Sequence, residues 1–157
     1  MYDVNTSSKM ETRVVLDADW FVINGQKYVK RLAYSIVGKP LHGEYELTLP
    51  SWVKPYRAAL ECQAKHSHHL DWSTTGQYDQ EEIQKVFEEI ETTVSGYGGS
   101  ISYWAKGTEK CGLLESYIGP VINMEQFGCP KYSHILALPQ TTLKKAIAFS
   151  LWLDSTY

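Results

Sequence analysis

The stretch Val14-Val15-Leu16-Asp17-Ala18-Asp19-Trp20-Phe21-Val22-Ile23-Asn24-Gly25-Gln26-Lys27-Tyr28-Val29 decides the fold. Two runs of β-branched and aromatic residues flank Asn24-Gly25, the dipeptide that a two-residue type I′ turn favours because both of its central positions need positive φ. The stretch predicts a β-hairpin, with the second strand running from about Lys27 to Val37 until Gly38-Lys39-Pro40 stops it. A third strand, Glu44-Tyr45-Glu46-Leu47-Thr48-Leu49, alternates polar and apolar residues as a half-solvated strand does and ends at Pro50. These three strands make an antiparallel meander.

Beyond the meander the pattern changes. Ser51 to Ala64 reads as a short helix interrupted by Pro55, and His66 to Gly76 as a polar, turn-rich loop. Asp79 with Glu82 has capping-box form, and Ile83, Val86, Phe87, Ile90 and Val94 follow at helical spacing, predicting a helix of about four turns. Gly96, Gly98 and Gly99 end it, and Ser100 to Ala105 reads as a central strand. Thr108 is placed to cap a helix from Glu109 to Ile118, which Gly119-Pro120 stops. Val121 to Met124 follows as a short strand, and the chain closes on a helix from roughly Thr142 to Leu153. Strands that alternate with helices pair in parallel through crossovers. The expected class is therefore α+β or α/β, a mixed sheet in which the meander is followed by parallel strands with crossover helices.

The 157 residues, 43% of them apolar, suffice for one core and leave no room for a second domain. Residues 1–12 are polar and read as a flexible arm, with a single domain over 13–157. Three cysteines, an odd number, together with the lack of an apolar leader, predict a reducing compartment, cytoplasmic or nuclear. No apolar run reaches the roughly 20 residues a membrane helix needs. The net charge of −3 hides an asymmetry, since residues 1–65 carry nine Lys/Arg against seven Asp/Glu and residues 66–157 six against eleven. That balance excludes a strongly basic nucleic-acid coat and leaves a local patch as the route to RNA or DNA.

Asp17-x-Asp19 carries the chemistry, because residues two apart on a strand share one face. Two carboxylates on one face repel unless a cation lies between them, so the pair predicts a metal site or an acidic strand edge. Val14 to Asp19 resembles the first motif of DEDD-type 3′-5′ exonucleases, which are built on the RNase H-like fold, and the meander followed by crossovers matches that fold's connectivity. The resemblance implies Mg²⁺ or Mn²⁺ at Asp17 and Asp19, catalysing phosphodiester hydrolysis at RNA or DNA ends. Tyr103 to Lys110 leads into Leu113-Leu114 with Glu109 at the place of a second motif, where Glu stands for the family's Asp, and the resemblance implies that Glu109 joins Asp17 and Asp19 as a catalytic metal ligand. The third motif, a His or Tyr ahead of an Asp, is missing from Thr141 to Ser150. The blocks His66 to Trp72, Ala105 to Lys110 and Val121 to Pro130 are similar to short RNase H-like proteins of invertebrate viruses and mobile elements, which look like degenerate exonucleases. That likeness implies an alternative, a catalytically inactive module that binds RNA or a host protein.

Other residues extend the expectation. His68 or His69, in a cluster with His66 and Asp71, is the candidate general base. Lys27, Lys30, Arg31, Lys39, Lys54 and Arg57 lie on or near the meander and could line a phosphate track, or simply solvate a sheet face. Trp20, Trp52, Trp72 and Trp104 suit base stacking or core packing. Cys62-x₃-His66 and Cys129-x₄-His134 offer a second metal reading, a tetrahedral zinc in a small interaction domain, against buried thiols with incidental histidines. No nucleophile elbow, Walker loop or H-E-x-x-H occurs. The sequence specifies no oligomeric state.

Overall fold

The computed structural model describes residues 11–131 and 141–157. Most of the predicted arm, and His134, lie outside the described residues. Thr12, the last residue of the predicted arm, instead opens the first strand, buried and with its amide donating to Ser100 O at 2.8 Å.

Strand β1 (Thr12–Ile23) turns through Asn24 (φ 53°) and Gly25 (φ 78°) into β2 (Gln26–Ile36), the left-handed pair that the Asn-Gly reading requires. β3 (His42–Thr48) completes the meander. A 3₁₀ helix (Ser51–Tyr56) and helix α1 (Arg57–His66) follow, so Pro55 sits in the 3₁₀ turn that leads into the helix. The two-residue strand β4 (Tyr78–Asp79) leads through a 3₁₀ turn (Gln80–Glu82) to α2 (Ile83–Ser95). Strand β5 (Ile101–Ala105), helix α3 (Thr108–Ile118), strand β6 (Val121–Asn123), a 3₁₀ turn (Met124–Phe127) and helix α4 (Thr142–Thr156) complete the order.

One six-stranded mixed sheet runs β4-β3-β2-β1-β5-β6. β1, β2 and β3 are antiparallel neighbours, while β5 and β6 run parallel to β1, as the alternating pattern predicts. β4, parallel to β3, is too short to carry a periodic signal in the sequence. Val14, Leu16 and Ala18 of β1 face one side, where they pack with Val86, Phe87, Ile90 and Val94 of α2 and Leu114 of α3. Val15 faces the other side with Trp104, Met124, Phe149 and Leu153, so α4 covers that face. A third cluster, Phe21, Ile23, Leu49, Val53 and Leu60, seats α1 at the hairpin end. Among the described residues no helix is long and apolar enough to cross a membrane.

Two local features position the residues of interest. The β1–β5 ladder stops at Val15 opposite Trp104, so Asp17 and Asp19 project past the C-terminal end of β5. The β1–β2 register shifts between Asp19 and Trp20, leaving Lys30 as the extra residue of a bulge. The loop before β4 crosses β3 so closely that a Cβ on Gly76 would lie 2.1 Å from Glu46 O.

Candidate functional site: a carboxylate pair under two lysines

Asp17 and Asp19 share the α4 face of β1, as their spacing requires. Asp17 is fully buried and Asp19 nearly so. Two ammonium groups reach them from different elements. Lys110, in the first turn of α3, donates to Asp17 Oδ1. Lys145 of α4 donates to Asp19 Oδ1 at 2.9 Å and stands 3.3 Å from Asp17 Oδ2. That second contact is an ion pair, and Asp17 Oδ2 accepts no hydrogen bond of good geometry from the described residues. Thr142 Oγ1 donates to Asp19 Oδ2 at 2.6 Å. Burial alone would raise the Asp19 pKa, but Lys145, Thr142 and Lys110 outweigh it and hold the carboxyl below its usual range. Burial pulls the other way on Lys145, and the two aspartates overcome it and push the ammonium up to about 12.

The helix ends that deliver these cations are fixed by side chains from the sheet. Gly107 (φ 108°) precedes α3, and its amide donates to Asn123 Oδ1 at 3.0 Å, the same oxygen that accepts from Glu125 N at 3.0 Å. The predicted Thr108 cap is therefore corrected: Thr108 is already helical, and Asn123 of β6 ties down the chain entering α3. Thr141 does cap α4, accepting from Lys144 N at 3.2 Å, and Glu44 of β3 accepts from Leu143 N at 3.2 Å.

The other predicted site residues make contacts of their own. Glu109 is exposed on the surface and pairs with Lys27 at 3.1 Å, while Lys27 also lies 5.7 Å from the ring centre of Trp20. Lys30 is buried, and its ammonium donates to Leu47 O at 3.0 Å and Thr74 O at 2.5 Å and pairs with Glu46 at 3.1 Å. It holds the loop before β4 onto β3 and does not face a phosphate track, because the bulge turns it inward. Arg31 pairs with the same Glu46 at 3.2 Å. Lys54 and Arg57 are exposed, beside Trp52 and Tyr56.

His68 is tied into the fold through both ring nitrogens. Leu70 N donates to Nδ1 at 3.2 Å, so Nε2 carries the proton and donates to Trp20 O at 3.0 Å, and the ring lies edge-on to Phe21 with centroids 4.6 Å apart. Burial outweighs the nearby Asp19 charge and lowers its pKa. A base must have a lone pair free, and the lone pair of His68 is committed to Leu70 N. His69 sits at φ 60° beside Leu70, Asp71 and Trp72 in a separate hollow. Beside His68, the Gln63 side chain pairs with Val22 through both its atoms, at 2.7 and 2.8 Å, and occupies the free edge of β1.

An open cleft of about 500 Å³ lies over this region, and Asp19, Trp20, Val22, His68, Glu109 and Lys110 are among its lining residues. The donor set does not fit the Mg²⁺ or Mn²⁺ that the exonuclease resemblance implies. Such an ion takes about six oxygens in octahedral array at close range, whereas here the oxygens of Asp17 and Asp19 that would face it are held by Lys110, Lys145 and Thr142. Among the described residues no three His, Cys, Asp or Glu side chains gather in a way that could hold a metal. Of the zinc set, Cys62 and His66 are exposed on α1, while Cys129 is buried with Phe149 and Leu153. Burial raises the Cys129 thiol to about 11, disfavouring the thiolate that zinc binds.

Lys110, Lys145, Thr142 and Asn123 are residues that a search for acids and histidines passes over. A usable signal lay in α4, where Lys145 falls on the same face as Thr142 and Phe149 within an otherwise apolar stripe, which implies a buried acidic partner. No protein-family model matches the chain, and no curated protein matches it.

Proposed function

We propose that this chain is an RNase H-like module that binds a nucleic-acid strand without cutting it. The observation carrying the proposal is the seating of the Lys110 and Lys145 ammonium groups on Asp17 and Asp19. In a nuclease of that fold the same carboxylates would hold the metal ions that position water and the leaving oxygen. Strand order, strand direction and the place of the acidic pair at the C-terminal end of β5 support the fold assignment. The binding surface we favour is the segment Trp52 to Arg57. Val53 anchors it in the core, while Trp52 (48% exposed) and Tyr56 (40% exposed) present their rings beside Lys54 and Arg57. Neither of those two cations has an acidic partner among the described residues, unlike Lys27, Lys30 and Arg31. Aromatic rings interleaved with free cations are what a single strand requires for base stacking and phosphate neutralisation.

A metal-dependent exonuclease is the second reading, favoured by Asp19, Glu109 and His68 lining one cleft. End-labelled single- and double-stranded RNA and DNA, incubated with Mn²⁺ or Mg²⁺ and run on denaturing and native gels, separate the two. We expect intact strands with retention of single strands, weakened by Trp52→Ala. Metal-dependent shortening that Asp17→Ala abolishes would replace the proposal with the nuclease. Neither shortening nor retention would make a protein the partner.

A further inference from the structure

We propose that Lys110 and Lys145 are built-in counter-cations that close a latent divalent-cation site formed by Asp17, Asp19 and Thr142, so that the native protein excludes metal there and does not need it. The inference rests on the non-cleaving reading and supplies its physical cause.

Charge makes the exchange balanced. Two carboxylates face two ammonium groups, and one Mn²⁺ carries the same charge as the two lysines together. The oxygens are of the kind a hard cation takes, two carboxylates and a hydroxyl. Asp17 Oδ2 is buried and accepts no hydrogen bond of good geometry from the described residues, so one ligand atom points into the cluster against the Lys145 ammonium 3.3 Å away. The two cations also arrive by independent routes. Lys110 comes from α3 on the edge beyond β5, and Lys145 comes from α4 across the sheet face, yet both end on residues two apart on one strand. A single incidental ion pair would not need both. Isolated carboxylates at this depth would be strongly unfavourable, so removing both lysines leaves a buried, doubly negative oxygen pocket that only protons or a dication can neutralise.

The test compares the native protein with the Lys110→Met/Lys145→Met variant, reading Mn²⁺ binding by loss of the free-ion electron paramagnetic resonance signal and stability by thermal unfolding. For the native protein we expect the full free-ion signal and a melting temperature indifferent to Mn²⁺ or EDTA. The double variant is expected to bind one Mn²⁺ at least about tenfold more tightly than the native protein and to melt higher as Mn²⁺ is added. Adding Asp17→Asn and Asp19→Asn should abolish both effects. If the double variant does not fold in metal-free buffer, refolding in Mn²⁺ supports the inference. Failure to refold, while the fourfold variant folds, overturns it. A folded double variant that takes up no Mn²⁺ also overturns it, and so does a native protein that binds Mn²⁺ in a manner lost on Asp17→Asn. That last result in a protein that cleaves nothing would sink this inference alone, whereas cleavage would sink the proposed function as well.

Discussion

Lys145 and Lys27 both make ion pairs, and their surroundings give those pairs different worth. Lys145 and its partners Asp17 and Asp19 have side chains at most 12% exposed, so Lys145→Ala strands carboxylates away from water. Removing one partner of a buried pair costs about 3–5 kcal/mol, and urea unfolding should show a loss of that size. Glu109, the partner of Lys27, is 68% exposed, and Lys27→Ala should cost no more than about 1 kcal/mol. Equal losses in the two variants would mean that the Asp17–Asp19 cluster is hydrated and that its burial is not what matters. His68 gives a pH signature. Its folded pKa lies below the ordinary value of about 6.5, so the unfolded chain binds the extra proton first, and stability falls as pH drops below that value. Protonation would also break the bond from Leu70 N, which needs the Nδ1 lone pair. Melting temperature should decline from about pH 6.5 downward in the native protein. In His68→Gln it should be lower throughout but flatter across that window. A parallel decline in both would assign the effect to other groups.

Helices and strands were legible wherever periodicity had room to act. The five apolar residues read as the face of α2 are the five buried there, because a stripe at helical spacing has one stable use against a sheet. The hairpin was legible for a comparable reason, since Asn24-Gly25 suits few turns but this one. The site was only half legible. Asp17-x-Asp19 stood out because strand spacing is local. Its partners Lys110 and Lys145 lie 93 and 126 residues or more along the chain, and no local pattern ties a lysine to a distant acid. The bulge at Lys30 was likewise invisible, and it turned a supposed surface cation inward. The start of α3 shows how an element's end can depend on another element. Asn123 holds Gly107 N and Glu125 N with one oxygen, so Asn123→Ala frees two amides at once. We expect a loss of about 1–2 kcal/mol, in the range of a lost helix cap. Amide exchange should become faster at Gly107 and Glu125 while α2 is unaffected. Unchanged exchange at Gly107 would show that the α3 N-terminus, and with it Lys110, is held by packing alone.

Across the whole molecule, the cations among the described residues divide, since Lys39, Lys54, Arg57, Lys65, Lys131 and Lys144 are exposed without a carboxylate partner while another set is paired. The chain carries a net charge of −3, and the α2 region adds Glu81, Glu82, Glu88, Glu89 and Glu91 on one side. Lys27, Lys30, Arg31, Lys106, Lys110 and Lys145 all face carboxylates. A strand confined to Trp52 to Arg57 would meet Lys54 and Arg57, and that confinement bounds the salt dependence of binding. Each neutralised phosphate of a single strand contributes a slope of about −0.7 to log affinity against log salt, so two contacts give about −1.4. Lys54→Ala should weaken binding and halve that slope to about −0.7. Trp52→Ala, which removes stacking but no charge, should weaken binding by about 1–3 kcal/mol with the slope unchanged. Fluorescence anisotropy with a labelled single strand across a salt series reads both quantities. A native slope steeper than about −3 would require more phosphate contacts than this segment offers and would move the interface onto another surface. A slope that Lys54→Ala leaves untouched would remove Lys54 from it.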